Sequence, residues 1–180
     1  MSKHTLLDVR AEYRRLDKLC GVSTEHIKLK VSARATRRYG FCHYSKRFDA
    51  AHINGFWVPD YISITDFIFD CDDEFLDVIR HEYAHALVML RDGKKHGHDA
   101  VWKAACREIG CRPDRLSSSE EAFEKSSKRK AEKAKYEIRC EGCGRKFQYT
   151  RKTKVVSAIL DGRICTCPCG SHNLIFLRKP

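Results

Sequence analysis

Two histidines and a glutamate come together in the segment His81-Glu82-Tyr83-Ala84-His85. Histidines four residues apart project from one face of a helix, so their ring nitrogens can bind the same metal ion. Glu82 then borders the ion without being a ligand, where it can take a proton from a water molecule that the metal has made more acidic. The pattern predicts a catalytic zinc site with His81 and His85 as ligands and Glu82 as the general base.

A catalytic zinc ion needs a third protein ligand and an open position for water or substrate. Two histidines, His96 and His98, follow the motif at a reachable distance. We prefer His98 because it lies just before a second helical pattern, in which Trp102 can pack one turn further on. His96 is then a neighbouring or solvent-facing residue, and it stays open as the alternative ligand.

Half of the ten cysteines cluster near the end of the chain. Cys140 and Cys143 have the spacing of a zinc knuckle, whose tight turn Gly144 can complete. The second half is less regular, since three thiols compete for two positions: Cys165, Cys167 and Cys169. A Cys-Pro-Cys-Gly sequence favours the last two, with Cys165 and then His172 as alternatives. A closed four-sulfur site would stabilise a module too small to bury its own core, and its predicted ligands are Cys140, Cys143, Cys167 and Cys169.

No apolar leader follows the first residue, and no stretch has the uninterrupted apolar length of a membrane span. We therefore expect a cytoplasmic protein with no membrane partner, and the basic C-terminal segment is compatible with association with the nucleoid. In a reducing compartment, isolated cysteines are expected to be small buried hydrophobes rather than disulfide partners. These are Cys20, Cys42, Cys71, Cys106 and Cys111.

The formal net charge of +11 is confined to the last third of the chain. Residues 1–124 hold 20 basic and 20 acidic side chains, whereas residues 125–180 hold 15 basic and 4 acidic ones. Lysine and arginine gain free energy by displacing counterions from a phosphate backbone, which indicates DNA, in particular single strands, as a partner. The predicted contacts are Lys128, Arg129, Lys130, Lys133, Lys135, Arg151, Lys152 and Lys154.

Two alternatives stay open for this segment. The aromatic residues Phe147 and Tyr149 either stack on bases or form the small core of the zinc module. The basic side chains could also dock a protein instead of DNA.

The metal motif must be held by a helix, and residues 72–90 show the clearest helical pattern, with acidic residues in the first turn. Its expected apolar face includes Phe75, Leu76, Ile79, Leu87 and Leu90. A second helix is predicted from Asp99 to a stop at Gly110. An earlier helix is predicted over residues 5–19, and alternating residues over 26–68 predict a sheet of three or four strands.

The last third begins with a predicted capping box over residues 117–121, followed by a polar helix that extends to Lys135. From Tyr136 onward, pairs of cysteines flank short strand patterns, which predicts a zinc-bound hairpin. Its loop is expected to contain Arg151, Lys152 and Lys154.

The run from His81 to Leu87, followed by Gly97-His98 and Trp102, resembles the SprT-like metallopeptidase domain of bacterial SprT proteins and Spartan proteases. Upstream, residues 39–42 and 62–64 resemble the strands that precede this family's active-site helix, and bacterial members also end in a cysteine ribbon. The resemblance implies a zinc protease with His81, His85 and His98 as ligands and Glu82 as base. It also implies action on proteins covalently trapped on DNA, with cleavage stimulated by DNA.

We therefore expect an α+β, zincin-like peptidase domain over residues 1–116, a charged helical connector over 117–135 and a β zinc ribbon over 136–180. The expected cofactors are one catalytic and one structural Zn²⁺. The expected partners are a protein substrate and DNA, and we expect a monomer. The main alternative is a DNA-associated adaptor whose metal sites are only architectural, although such a site has no need of a base beside its ligands.

Overall fold

The computed structural model describes residues 2–35, 38–114 and 119–180. The chain has a mixed α+β structure and divides into two compact units, Met1–Glu124 and Lys125–Pro180. The division falls inside the segment predicted as a connector, at the residue where the excess of basic charge begins. Within the described ranges, no helix combines the length and the apolar character needed to cross a membrane.

The first helix of unit 1, α1, spans Leu6–Cys20 and has well-defined ends. Thr5 accepts a hydrogen bond from the backbone N–H of Asp8, whose side chain bonds back to Thr5, forming a capping box. Gly21 ends the helix with φ at 65°, a conformation that glycine adopts without steric cost. The helix buries one face in the core through Val9, Tyr13 and Leu16.

A three-stranded sheet follows, made of β1 (Lys28–Ser32), β2 (Gly40–Arg47) and β3 (Phe56–Thr65). The strand order is β1-β3-β2; β1 runs parallel to β3, and β2 pairs antiparallel with it. Alternation along β3 places Ile62 and Ile64 in the core. On the opposite face, His43, Tyr61 and Ser63 are half-buried, and Lys30 and Phe41 are exposed.

A 3₁₀ helix over Asp66–Asp70 leads into α2 (Asp72–Asp92), which ends at Gly93 with φ at 67°. The third helix, α3, spans Ala100–Glu108, begins at the Asp99 cap and packs against α2. The core includes Phe75, Ile79 and Leu87, but Leu76 is 46% exposed, contrary to the prediction. Leu76 was assigned from spacing alone, and which apolar residues on a helix are covered depends on its neighbours.

The isolated cysteines are mostly buried, as expected: Cys42, Cys71, Cys106 and Cys111 belong to the core, and Cys20 is half-buried.

Helix α4 spans Glu120–Glu132, shorter than the predicted extension to Lys135. Ser119 accepts a hydrogen bond from the backbone N–H of Ala122 at 3.1 Å, as a capping residue does. The rest of the predicted capping box includes Ser117 and Ser118, which lie outside the described residues.

Unit 2 contains a second three-stranded sheet, made of β4 (Tyr136–Cys140), β5 (Lys146–Tyr149) and β6 (Leu174–Arg178). The order is β5-β4-β6, with antiparallel pairing throughout. A helix, α5 (Lys154–Leu160), lies between β5 and β6 and was not predicted. Lys154 begins this helix instead of lying in a hairpin loop. Thr153 caps the helix, and Val156 on its apolar side is buried.

Candidate active site and metal centres

Helix α2 and the residue just before the Asp99 cap bring three histidines together. The Nε2 atoms of His81 and His98 are 3.1 Å apart, and the ring centroids of His85 and His98 are 4.9 Å apart. One ligand nitrogen from each histidine lies within 4.8 Å of the other two. The helical spacing of four residues and the adjoining loop thus combine into one cluster of half-buried imidazoles.

Trp102 forms the floor of this cluster. Its ring centroid lies 4.7 Å from that of His81, 5.2 Å from His85 and 4.5 Å from His98. The side chain is fully buried, and its indole Nε1 has no hydrogen-bond partner among the described residues. Trp102 thus limits the positions available to all three imidazoles by packing, without a hydrogen bond to any of them.

His96 lies outside the cluster and is held by two carboxylates. Its Nε2 is 2.8 Å from Asp92 at the end of α2, and its Nδ1 is 2.9 Å from Asp99. Asp99 also accepts a hydrogen bond from the backbone N–H of Trp102 at 3.1 Å. Because both ring nitrogens are occupied, His96 fastens the loop before His98 instead of joining the three histidines.

Burial keeps two of the clustered histidines neutral. Desolvation, assisted by the neighbouring His98, lowers the pKa of His81 to about 4. Desolvation and the two other histidines lower the pKa of His85 to about 3. A neutral imidazole has a free lone pair, which is the form that binds a metal ion, so the site holds ligands ready for a cation at neutral pH.

Glu82 lies against the first residues of β2. It is 7% exposed and packs against Gly40, where a Cβ atom would lie 2.5 Å from Cγ and 2.6 Å from Oε1 of Glu82. Burial raises the pKa of Glu82 to about 8, against the backbone N–H of Cys42 and the charge of Arg38, which lower it. A pKa near neutrality suits a group that both accepts and returns a proton.

Four cysteines converge in unit 2. The Sγ atoms of Cys140 and Cys169 are 3.6 Å apart, and those of Cys143 and Cys167 are 3.7 Å apart. All four sulfurs lie within 4.8 Å of one another. Cys140 ends β4, and Gly144, with φ at 71°, allows the turn after Cys143.

The thiols in this cluster influence one another's ionisation. Burial raises the pKa of Cys140, but the backbone N–H of Cys143 and nearby thiols outweigh it and lower the pKa to about 6. The pKa of Cys167 is raised to about 12, because burial and the surrounding thiols outweigh the backbone N–H of Cys169. One thiolate forms readily, and its negative charge disfavours ionisation of the neighbouring thiols. A divalent cation is therefore needed to keep all four thiols ionised.

The two predicted alternatives lie outside the set of four. Cys165 is half-buried and is not among the grouped sulfurs, and the Nδ1 of His172 is 3.1 Å from the hydroxyl of Thr166.

The strand register of unit 2 bears on the role of Phe147 and Tyr149. Phe147 pairs with the buried Ile138, and both aromatic side chains are half-buried on that same face. This placement favours a role in the small core.

The predicted nucleic-acid residues lie at several places in unit 2. Six are exposed, along or just after α4, in the turn after β5 or at the start of α5: Lys128, Lys133, Lys135, Arg151, Lys152 and Lys154. Arg129 and Lys130 are half-buried along α4, and Lys135 precedes β4. All eight residues belong to unit 2.

Two features of the site were missed in the sequence. Gly40 belongs to a strand pattern in the sequence, and glycine within a strand can mark the close approach of another group. The pair Asp92 and Asp99, four and three residues from His96, has a spacing that could have suggested hydrogen bonds to that histidine.

A search of curated proteins found no relative of this chain. The model of the SprT-like family matches residues 9–127, about two thirds of the chain, and this range contains the three clustered histidines, Glu82 and Trp102. The chain therefore belongs to the SprT-like family.

Proposed function

We propose that this protein is a zinc-dependent endopeptidase that cleaves DNA-bound or DNA-crosslinked proteins. The observation that supports it best is the convergence of His81, His85 and His98 beside a buried glutamate. Membership of the SprT-like family favours the same chemistry, since that family is generally one of metallopeptidases. The position of the paired histidines on a helix that packs against a mixed sheet supports a zincin-like arrangement.

The spacing of the ligand atoms fits zinc at both centres. Two nitrogens on one tetrahedral zinc ion are roughly 3.4 Å apart, and two sulfurs roughly 3.8 Å apart. The separation of His81 and His98 is 3.1 Å, and the two cysteine pairs are 3.6 and 3.7 Å apart. Three neutral nitrogens leave a fourth position for catalysis, whereas four sulfurs close the second site, which we assign as structural.

When bound, the zinc ion supplies Lewis-acid activation of water and of the peptide carbonyl. Glu82 accepts a proton from the attacking water at its carboxylate and then donates it to the nitrogen of the departing amine. The backbone N–H of Cys42 and the nearby charge of Arg38 stabilise the ionised carboxylate. Its packing against Gly40 limits the positions that the carboxylate can take.

Action at DNA is supported by the distribution of charge. Unit 2 has an excess of 11 basic over acidic side chains, whereas the unit with the histidine cluster is balanced. Exposed lysines and arginines on a small separate module suit contact with a phosphate backbone. On this proposal, unit 2 holds the peptidase on DNA, where its protein substrates are attached.

Replacement of Glu82 tests the proposed chemistry. Glu82→Gln is expected to retain the zinc content of the wild type and to reduce cleavage of a protein crosslinked to single-stranded DNA by several orders of magnitude. Glu124→Gln, an exposed acid in the same unit, is the matched control and should cleave normally. Undiminished proteolysis by Glu82→Gln would contradict the mechanism. An inactive wild type that still binds DNA would favour an adaptor with architectural metal sites.

Zinc stoichiometry tests the assignment of ligands independently of activity. We expect two ions per chain, one of which is lost in His98→Ala. The control is His96→Ala, which should retain both ions because His96 bonds to Asp92 and Asp99. Loss of an ion in His96→Ala but not in His98→Ala would reverse the assignment.

A further inference from the structure

The solvent side of the sheet in unit 1 combines cations with aromatic rings. Residues opposite one another on paired strands share a face, so the side of the sheet away from Ile62 and Ile64 can be traced through the three strands. We call it the basic-aromatic face. It consists of Lys28, Lys30, Arg38, Phe41, His43 and Tyr61.

The rings and cations of this face form a row across the strands. The Nζ atom of Lys30 lies 3.5 Å from the ring centroid of Tyr61, which stacks on His43 at 4.7 Å with an interplanar angle of 5°. Phe41 meets His43 edge-on at 6.1 Å, and the guanidinium carbon of Arg38 lies 4.9 Å from the centroid of Phe41. Three rings thus lie side by side with a cation at each end.

The face is locally positive although unit 1 is neutral. Residues 28–65 contain seven lysines and arginines but only two acids, Asp49 and Asp60. Asp60 is already bonded to His43 at 3.0 Å and to Arg47 at 3.2 Å. Lys28, Lys30 and Arg38 are exposed, and the charge of Arg38 also acts on the carboxylate of Glu82.

We infer that the basic-aromatic face binds single-stranded nucleic acid. A lysine or arginine that covers an exposed ring is held by only about 1 kcal/mol and can move aside. A base then takes the free surface of Tyr61 or Phe41, and the displaced cation bonds to the adjacent phosphate. Single strands with unpaired bases use the rings and the cations together. An acidic protein would use only the cations, so it fits this surface less well.

The position of the face gives the inference a consequence for the proposed peptidase, and only this consequence rests on that function. Phe41 belongs to the basic-aromatic face, while its strand neighbours Gly40 and Cys42 lie against Glu82 on the core side. A strand of nucleic acid on the face would therefore lie one sheet thickness from the catalytic base. Proteins attached to that strand would be held near the histidine cluster.

Photo-crosslinking of the full chain locates the contact without any need for proteolysis. The protein is the Glu82→Gln variant, and the probe is a ten-nucleotide DNA strand with 5-iodouracil at each position in turn. Because crosslinking favours stacked aromatic residues, we expect mass spectrometry to identify adducts on Phe41 or Tyr61. Adducts confined to residues 125–180 would overturn the inference. An RNA probe in parallel distinguishes the type of strand, and a matched duplex should compete poorly.

Binding across salt concentrations gives a second, quantitative test. The Lys28→Gln/Lys30→Gln pair is expected to lower the slope of log affinity against log salt by about 1.4, since each lost phosphate contact removes about 0.7. The control pair, Lys18→Gln/Lys103→Gln, changes the charge equally at exposed positions elsewhere in unit 1 and should leave the slope unchanged. Phe41→Ser should weaken binding about fivefold or more through lost stacking.

Equal slopes for the two lysine pairs, together with unchanged affinity in Phe41→Ser, would refute the face as a binding site. Thermal unfolding of each variant, matched to the parent, ensures that lost binding reflects the surface and not the fold. The two proposals fail separately in these assays. An active peptidase with no contact at this face rejects only the further inference, whereas a face that binds strands on a chain with no protease activity rejects only the proposed function.

Discussion

Gly40 lies so close to Glu82 that only a residue without a side chain fits there. A Cβ atom at Gly40 would lie 2.5 Å from Cγ and 2.6 Å from Oε1 of Glu82, distances that real Cβ contacts do not reach. The first residue of β2 therefore shapes the space that holds the proposed catalytic base. Neither residue indicates the other in the sequence, because 42 positions separate them.

Substitution of Gly40 by alanine should displace Glu82. We expect at least a tenfold fall in kcat, with zinc content unchanged, and a loss of about 1–3 kcal/mol in the free energy of unfolding from overpacking. Gly97→Ala is the matched control, since a Cβ there meets nothing within 4 Å. Peptidase assays and denaturant unfolding measure both effects, and wild-type turnover in Gly40→Ala would show that Glu82 does not need this space.

Trp102 should determine how tightly the histidines hold zinc. Trp102→Ala is expected to lower the zinc affinity of the histidine site 10- to 100-fold and to cost about 3–5 kcal/mol of stability. Trp102→Phe keeps a ring beneath the imidazoles and removes an indole N–H that has no partner in the described part of the chain, so its affinity should stay within a few-fold of wild type. Competition with a chromogenic chelator measures these values.

Trp57→Ala serves as a control for the loss of a tryptophan elsewhere, since Trp57 packs on Tyr44. It should leave zinc affinity unaltered. Wild-type affinity in Trp102→Ala would mean that the histidines are held without the tryptophan.

The choice between Cys165 and Cys167 can be tested by zinc release. Cys167→Ser should lose one of two zinc ions and much of the structure of unit 2, because the remaining thiolates cannot close the site. Cys165→Ser should keep both ions, since Cys165 is outside the group of four sulfurs. Metal analysis after gel filtration measures the content. Release of zinc from Cys165→Ser with retention in Cys167→Ser would assign Cys165 as the ligand.

The carboxylate of Glu12 should make the stability of unit 1 depend on pH. Hydrogen bonds from Arg15, partly opposed by desolvation and reinforced by Arg80, lower the pKa of Glu12. A lowered pKa contributes stability that is present above the unfolded value of about 4.5 and is lost as the pH falls through the folded value. Glu12→Gln should therefore cost about 1–3 kcal/mol at pH 7 and progressively less below pH 4.5.

Denaturant unfolding at pH 7 and at several points below pH 4.5 measures this dependence. Glu25→Gln is the control, because that carboxylate is 57% exposed beside Arg14 and should not change the unfolding midpoint. If the free energies of unfolding of Glu12→Gln and the wild type differed by the same amount at every pH, the ion pairs of Glu12 with Arg15 and Arg80 would be excluded as the cause.

The sequence by itself determined the chemistry that depends on local spacing. Residues four apart on one helix must share a face, so the pairing of His81 and His85 and the helix α2 followed from the order of residues. The same holds for α1, for the alternating strands of the first sheet and for the asymmetry of charge between the two units. These features depend on contacts within a few residues or on composition alone.

Tertiary structure alone decided what depends on distant partners. It placed His98 with the histidines of α2 and fastened His96 between two carboxylates, a choice that spacing left open. It grouped Cys167 and Cys169 with Cys140 and Cys143, formed α5 where a loop was expected, and set Gly40 against Glu82. Each outcome depends on how helices and strands pack in three dimensions, which no short window of residues specifies.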